Sequence, residues 1–269
     1  MSIKETFSSL KKRGEGALVA YITGGDPTPK YTLRLVEALQ RGGADIIEIG
    51  VPFSDPIADG PIIQAAYCRA LDASTTPHTI LDIVEDAKRK SDVPIVLMTY
   101  YNIVYRRGIK EFLTKANRHK VDGLIIPDLP VEEAADYQAA ANKEGLSTIF
   151  LATPLTSIRR LKVILESTSG FLYLVSVLGT TGARDHIANL TTQTIMRFHS
   201  HTVNTIPLAV GFGISQPEHV KIVIGYGAEA AIVGSAFVKK IQDNLGRPIK
   251  MVDEVLALVQ SLKAATRPS

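Results

Sequence analysis

The stretch Asp45–Pro61, DIIEIGVPFSDPIADGP, sets one carboxylate, Glu48, inside an otherwise apolar run. It follows with two more, Asp55 and Asp59, in a segment punctuated by Gly and Pro. In a strand, Glu48 and its neighbours Ile47 and Ile49 point to opposite faces. Two readings of Glu48 fit this pattern. Pointing inward near the end of a buried strand, it is desolvated, its pKa rises, and it suits general acid/base work. Sitting at a rim, it pairs with a Lys or Arg. Asp55 and Asp59 also have two readings. Asp before Gly and Pro commonly braces a turn through its side chain. Alternatively, the loop folds back and brings Asp59, eleven residues beyond Glu48, to the far side of a bound ligand, so that two acids in different environments divide acid and base roles.

A second group of residues has the chemistry of an anion site. AVGFGIS (Ala209–Ser215) and AAIVGSAFV (Ala230–Val238) each place glycines at a strand end just before a helix start. Backbone N–H groups of Gly213, Gly234 and Ser235, backed by a helix N-terminus, favour a phosphate. One such turn is better explained by tight chain reversal; two in adjacent units favour phosphate. GTTGAR (Gly179–Arg184) fits either a lid over substrate or a plain flexible loop. Tyr21, Tyr100 and Tyr173 fall near strand ends, where they line a flat pocket or pack in the core. The six histidines (His78, His119, His186, His199, His201 and His219) show no close ligand spacing with acids or cysteine, so no metal is expected. His199 and His201 read as an exposed helix end. Cys68, the single cysteine, excludes an internal disulfide and reads as a small core filler among alanines.

The elements that must position these residues are regular. Strand-like runs occur at Ala17–Ile22, Asp45–Ile49, Pro94–Met98, Val121–Ile126, Ser147–Leu151, Phe171–Val175, Pro207–Val210 and Ala230–Val233. Short, continuous and apolar, they have the signature of parallel strands buried on both faces. Helical patterns lie between them. Thr28-Pro29 opens one and Gly42-Gly43 closes it; Ser215 with Glu218, and Ser2 with Glu5, read as capping boxes. Others are expected near 80–90, 109–115, 131–144, 157–165, 191–199 and 251–264. Eight alternations without a compositional break predict a single (β/α)8 TIM barrel over residues 1–269, with an extra helix before the first strand. The rival, an open doubly wound sheet, lacks its Gly-x-Gly-x-x-Gly after the first strand. Two connections are long, Gly50 to about Thr79 and Ser176 to about Leu190. Both follow strand C-termini, where barrels build their active sites.

Bulk properties narrow the function classes. The 269 residues are 45% hydrophobic and 21% charged, with a formal net charge of +3. These are globular values. The basic pairs are dispersed among acids, which argues against a nucleic-acid surface. The absence of an apolar run near 18 residues and of a basic-then-apolar leader predicts a soluble, cytoplasmic protein without membrane contact.

IEIGVPFSDPIADGPIIQ (Ile47–Gln64) resembles the signature of the tryptophan synthase α subunit family. The similarity continues in order through YITGGDP (21–27), MTYYN (98–102), DGLIIPDLPVEE (122–133), GTTGAR, VGFGIS and VGSAFVK. The resemblance implies a (β/α)8 barrel that cleaves indole-3-glycerol phosphate to indole and glyceraldehyde 3-phosphate. It implies Glu48 as the catalytic acid/base, Asp59 as its partner on the indole N–H, and Tyr173 as the active-site tyrosine. Tyr21, Tyr100, Ile63 and Ile232 would flank the indole, and Thr181 would lie on the closing loop. Gly182, Phe212, Gly213, Gly234 and Ser235 would hold the phosphate. Asp122 and Asp128 match acids near the site. Asp55 would face a β subunit in an α2β2 assembly, with pyridoxal phosphate carried by that partner and no cofactor in this chain. Tyr21 stands where the family often has Phe, and Ser74 where Gly is common. Other phosphate-binding barrels, such as indole-3-glycerol phosphate synthase or phosphoribosylanthranilate isomerase, share the phosphate turns but not the Glu48–Asp59 segment. A non-catalytic activating subunit would not need the two acids.

Overall fold

The protein is described from a computed structural model covering residues 1–175, 184–211 and 213–267, the backbone alone over 184–189. Its strands are β1 (Ala17–Thr23), β2 (Ile46–Gly50), β3 (Ile95–Met98), β4 (Gly123–Ile125), β5 (Ser147–Ile149), β6 (Leu151–Ala152), β7 (Leu172–Val175), β8 (Leu208–Gly211) and β9 (Ala230–Val233). All neighbours pair in parallel, in the order β5-β4-β3-β2-β1-β9-β8-β7-β6. The two ends of that order, β5 and β6, are separated along the chain by Phe150 alone. They form one staff of the barrel, so the sheet closes with eight strand positions, as the eight apolar runs predict.

Helices α1 (Ile3–Lys12), α2 (Pro29–Gly42), α3 (Pro61–Asp72), α4 (Pro77–Lys88), α5 (Tyr101–Arg106) and α6 (Ile109–Arg118) belong to the first half. In the second half are α7 (Ala135–Glu144), α8 (Ile158–Ser167), α9 (Arg184–Thr202), α10 (Pro217–Gly225), α11 (Ser235–Gln242) and α12 (Pro248–Ala264). Strand alternation divides the core. Leu18, Ala20, Ile47, Ile49, Leu97, Leu124, Leu172, Val210 and Val233 pack outward under the helices. Val19, Tyr21, Ile46, Val96, Ile125, Ile149, Phe171, Tyr173, Ala209 and Ile232 fill the interior. The extra helix α1 belongs to this interior cluster through Ile3, Phe7 and Leu10, and the Phe7 and Phe171 rings lie 6.1 Å apart. Phe171 immediately precedes β7, so α1 plugs the N-terminal end of the barrel and leaves the other end for the site. The Ser2–Glu5 capping box forms as the sequence predicts.

The structure corrects several local expectations. The connection after β2 is not irregular to Thr79, because α3 occupies Pro61–Asp72. Pro61 was read as loop punctuation, whereas it sits at the first helical position, where its missing N–H costs nothing. The face Ile63, Ala66, Tyr67 and Ala70 is buried at helical spacing, which turns Cys68 outward: it is exposed, not a core filler. The expected Ser215–Glu218 capping box does not form. Pro217 fixes the start of α10 with Gln216 as N-cap, and the Ser215 N–H instead donates to His219 Nδ1 at 3.3 Å. The expected helix over 131–144 splits into a 3₁₀ turn, Val131–Glu133, and α7. His199 and His201 lie in the last turn of α9, as expected, but are half-buried.

One ion pair fixes α3 relative to the first strand. Asp26, fully buried in the loop after β1, accepts from Arg69 Nε at 2.7 Å and Nη2 at 2.9 Å. The pair is bidentate, the strongest geometry open to it. Arg69→Met should cost roughly 3 kcal/mol, because it strands a buried carboxylate. A urea titration checks this, and a loss below 0.5 kcal/mol, the scale of an ordinary surface substitution, would show that the pair is dispensable.

Candidate active site

The direction of Glu48 follows from β2. Ile47 and Ile49 pack outward and Ile46 inward, so Glu48 points into the barrel, in register with Tyr21 of β1 and Val96 of β3. It is 1% exposed, forms no ion pair among the described residues, and its Oε2 has no hydrogen-bond partner among them. The rim-pairing alternative is therefore excluded. Burial pushes the Glu48 carboxyl up to about 8, and the negative charge of Asp59 adds to the rise. The same burial favours the protonated acid over the carboxylate at neutral pH.

Glu48 and Asp59 open into one cavity of about 390 Å³ at the C-terminal end of the strands. Asp59 stands on the loop leading into α3. Its Oδ2 accepts from the Tyr100 hydroxyl at 2.6 Å, while that hydroxyl accepts from the Ala58 N–H at 2.9 Å. The Phe53 ring stacks on Tyr100 at 5.0 Å. Burial raises the Asp59 carboxyl above its ordinary value, and the hydrogen bond from Tyr100 partly offsets the rise. Tyr100 does not line the cavity, so its position supports Asp59 more directly than it does a ligand.

Tyr21 and Tyr173 do line the cavity, and their phenols are pushed well above the usual range chiefly by burial. The Tyr21 hydroxyl lies 3.2 Å from Thr23 Oγ1 and donates to the Tyr67 hydroxyl at 3.3 Å. Gly50 and Gly211 make room for the two rings: a Cβ on Gly50 would lie 2.2 Å from the Tyr21 hydroxyl, and one on Gly211 2.6 Å from that of Tyr173. Ile63 of α3 and Ile232 of β9 complete apolar walls.

Gly213, Gly234 and Ser235 line the same cavity. Gly234 is the N-cap of α11 and Ser235 its first residue, so a helix N-terminus backs this wall with its partial positive charge. Gly213 has φ +75°, a left-handed conformation that a side chain would strain. Thr181, Gly182 and Phe212, the remaining expected contacts, lie outside the described residues, as does most of the GTTGAR segment.

The other acids separate. Asp55 is exposed on the loop and accepts from its neighbour Ser54 Oγ at 2.5 Å, away from the cavity lining. Asp128 follows β4 and caps α5 by accepting from the Tyr101 N–H at 2.8 Å. Asp122 is not near the site. It precedes β4, at the opposite end of the barrel, and binds Lys88 Nζ at 2.9 Å and the Ile95 N–H at 2.8 Å. The sequence reading also missed Gly60, Pro61, Ile62, Met98 and Ile214 in the cavity wall. The first three were obscured with the start of α3. Sequence spacing likewise hid one group of possible metal ligands, His78, Asp82 and His119, which lies outside the cavity.

The Glu48 carboxyl makes stability depend on pH. Its folded value lies above the unfolded one, so its stabilising contribution is complete below about 4.5 and is lost as the pH rises through about 8. Glu48→Gln should therefore gain on the wild type by a few kcal/mol between those values, as measured by denaturant melts across pH. A pH-independent difference would contradict the raised value.

With this geometry established, relatives are informative. A family model described as "Tryptophan synthase alpha chain" matches residues 7–267. A tryptophan synthase alpha chain from Methanoregula boonei is 47% identical over 258 residues, covering 96% of this chain and 97% of that one. A tryptophan synthase subunit alpha structure from Legionella pneumophila superposes with a TM-score of 0.91 at 34% identity, covering 99% and 98% of the two chains. A chain of the tryptophan synthase a2b2 complex from Pyrococcus furiosus superposes at 0.86 with 42% identity, covering 93% and 98%. A closed barrel, an inward acid in β2 and a glycine-lined helix start in the same cavity thus occur in a chain that belongs to the tryptophan synthase alpha chain family.

Proposed function

We propose that this chain, acting as one unit over residues 1–269, is the lyase that cleaves indole-3-glycerol phosphate to indole and glyceraldehyde 3-phosphate. The observation that carries the reading is a buried Glu48, its Oε2 without a partner among the described residues, sharing a cavity with Asp59. Glu48 donates its proton to C3 of the indole ring, which makes the ring a cationic electron sink. Asp59, held by Tyr100, accepts the indole N–H and stabilises that cation. The Glu48 carboxylate then takes the proton from the glycerol hydroxyl next to the bond that breaks. The O–H electrons form the aldehyde carbonyl, the C–C electrons return to the ring, and Glu48 regains its proton. No bond to the protein forms, and no cofactor of this chain enters the scheme.

Tyr21, Ile63, Ile232 and Tyr173 clamp the flat ring between apolar walls, with Tyr173 close to the reacting carbons. Gly213, Gly234 and Ser235, joined by Gly182 and Phe212, take the phosphate, and Thr181 closes over the substrate. Anchoring both ends orients the scissile bond against Glu48. The a2b2 assembly named for the Pyrococcus furiosus protein supports a β subunit as partner, in an α2β2 complex with pyridoxal phosphate on the β side. Asp55 on the exposed loop, two residues from the 82%-exposed Ile57, fits a place at that interface. No helix among the described residues is long and apolar enough to cross a membrane, consistent with a cytoplasmic enzyme.

Because Glu48 begins the cycle protonated, kcat/KM for indole release should fall above pH of about 8. Glu48→Gln should lose at least about 10³-fold in kcat, the scale of an acid/base group that acts in both steps. Unchanged indole production in a steady-state assay would remove Glu48 from the chemistry. Ser235→Asp, which sets a negative charge against the phosphate, should raise KM at least tenfold, corresponding to about 1.4 kcal/mol. An unchanged KM would refute the anion site.

A further inference from the structure

His78 and Asp82 lie one helical turn apart on α4, and His119 is the C-cap of α6. They are remote in sequence, yet one ligand atom from each lies within 4.8 Å of the other two. His119 Nε2 is 3.6 Å from Asp82 Oδ1, and His78 Nδ1 is 3.9 Å from the same oxygen. The two imidazoles meet edge to face, with centroids 6.0 Å apart.

The tautomer of His119 gives this cluster its meaning. Its Nδ1 lies 2.8 Å from the Lys115 carbonyl oxygen. A carbonyl only accepts, so Nδ1 carries the N–H. In the neutral ring Nε2 is then a bare lone pair, aimed at a carboxylate oxygen that also only accepts. Two acceptors facing each other at this distance leave a place that a cation fits. A proton on Nε2 serves poorly, because 3.6 Å exceeds the roughly 2.7–2.9 Å of a charge-assisted hydrogen bond. An ion about 2.0–2.1 Å from nitrogen and 2.0–2.2 Å from oxygen holds tetrahedral ligands about 3.4 Å apart, close to the 3.6 Å between His119 Nε2 and Asp82 Oδ1, with His78 Nδ1 at 3.9 Å needing to move inward. An imidazole whose second nitrogen donates to a backbone carbonyl is also the usual arrangement of a metal-binding histidine.

We propose that His78, Asp82 and His119 bind a first-row divalent transition-metal ion of the zinc class, which clasps α4 to the end of α6 on the outside of the barrel. Two imidazole nitrogens and one carboxylate oxygen select zinc, nickel or copper over magnesium or calcium. Water completes the coordination. The C-terminal end of α6 favours a cation, the N-terminal end of α4 opposes it, and the Asp82 charge decides the balance. His119 is 17% exposed and preset, whereas His78 is 75% exposed and must be ordered on binding. Binding is therefore reversible and weaker than at a closed four-ligand site. None of the three residues lines the catalytic cavity, so the ion bears on stability rather than on cleavage.

The test uses the whole chain, stripped with chelator and titrated with zinc chloride by calorimetry, with thermal unfolding measured in parallel. The wild type should bind one zinc per chain and melt at a higher temperature with it. His119→Gln should weaken binding at least about tenfold and lose the thermal shift. His78→Gln changes only an exposed side chain, so its folding is not in question; it should weaken binding in the same direction. His201→Gln should bind as the wild type does. Absence of saturable binding, or an unchanged titration in His78→Gln and His119→Gln, would overturn the proposal.

Discussion

The site depends on one unfavourable fact: a carboxyl group is buried inside a barrel with no cation among the described residues to balance it. Most buried acids are paired, and three others in this protein are. Asp26 has Arg69, Asp45 has Lys263 and Asp122 has Lys88. Glu48 has none among the described residues, and a second acid shares its cavity. Keeping its proton avoids the cost of a bare buried charge. The same desolvation that destabilises the ionised form raises the Glu48 pKa toward the range useful for acid/base work at neutral pH.

The rest of the fold holds that arrangement in place. Strand alternation aims Glu48 inward, α1 closes the far end, and Gly50 leaves room for the Tyr21 ring beside it. The start of α3 does more than connect β2 to the next layer. It delivers Asp59 from one side and Ile63 from the other, and the Asp26–Arg69 pair anchors its later turns to β1. Tyr100 fixes Asp59 from behind. The partial positive charge of the α11 N-terminus lies at Gly234 and Ser235, on a different strand-to-helix connection from Glu48 and Asp59.

A parallel sheet covered on both faces was legible in the continuous apolar runs, and the barrel form of it in eight strand–helix alternations without a Gly-x-Gly-x-x-Gly after the first strand. Glu48 was legible as an anomaly, though its direction was not: alternation gives two faces, and only the sheet's closure says which is inside. The start of α3 was illegible because Pro61 serves both as a breaker and as a first helical residue, and Cys68 was misplaced with it. Asp122 and Asp128 are six residues apart in one motif, yet β4 carries them to opposite ends of the barrel. Tyr100 announced an aromatic ring but not the hydroxyl contact to Asp59. His78, Asp82 and His119 left no spacing signal, since α4 and α6 meet only through the closed fold.

The central claim is that Glu48 carries a proton at neutral pH. The most direct measurement is the titration of its carboxyl carbon by NMR in selectively ¹³C-glutamate-labelled protein, with Glu48→Gln assigning the signal. One glutamate should stay protonated through pH 7 and titrate near 8. A Glu48 signal titrating near 4.5, with the other glutamates, would contradict it.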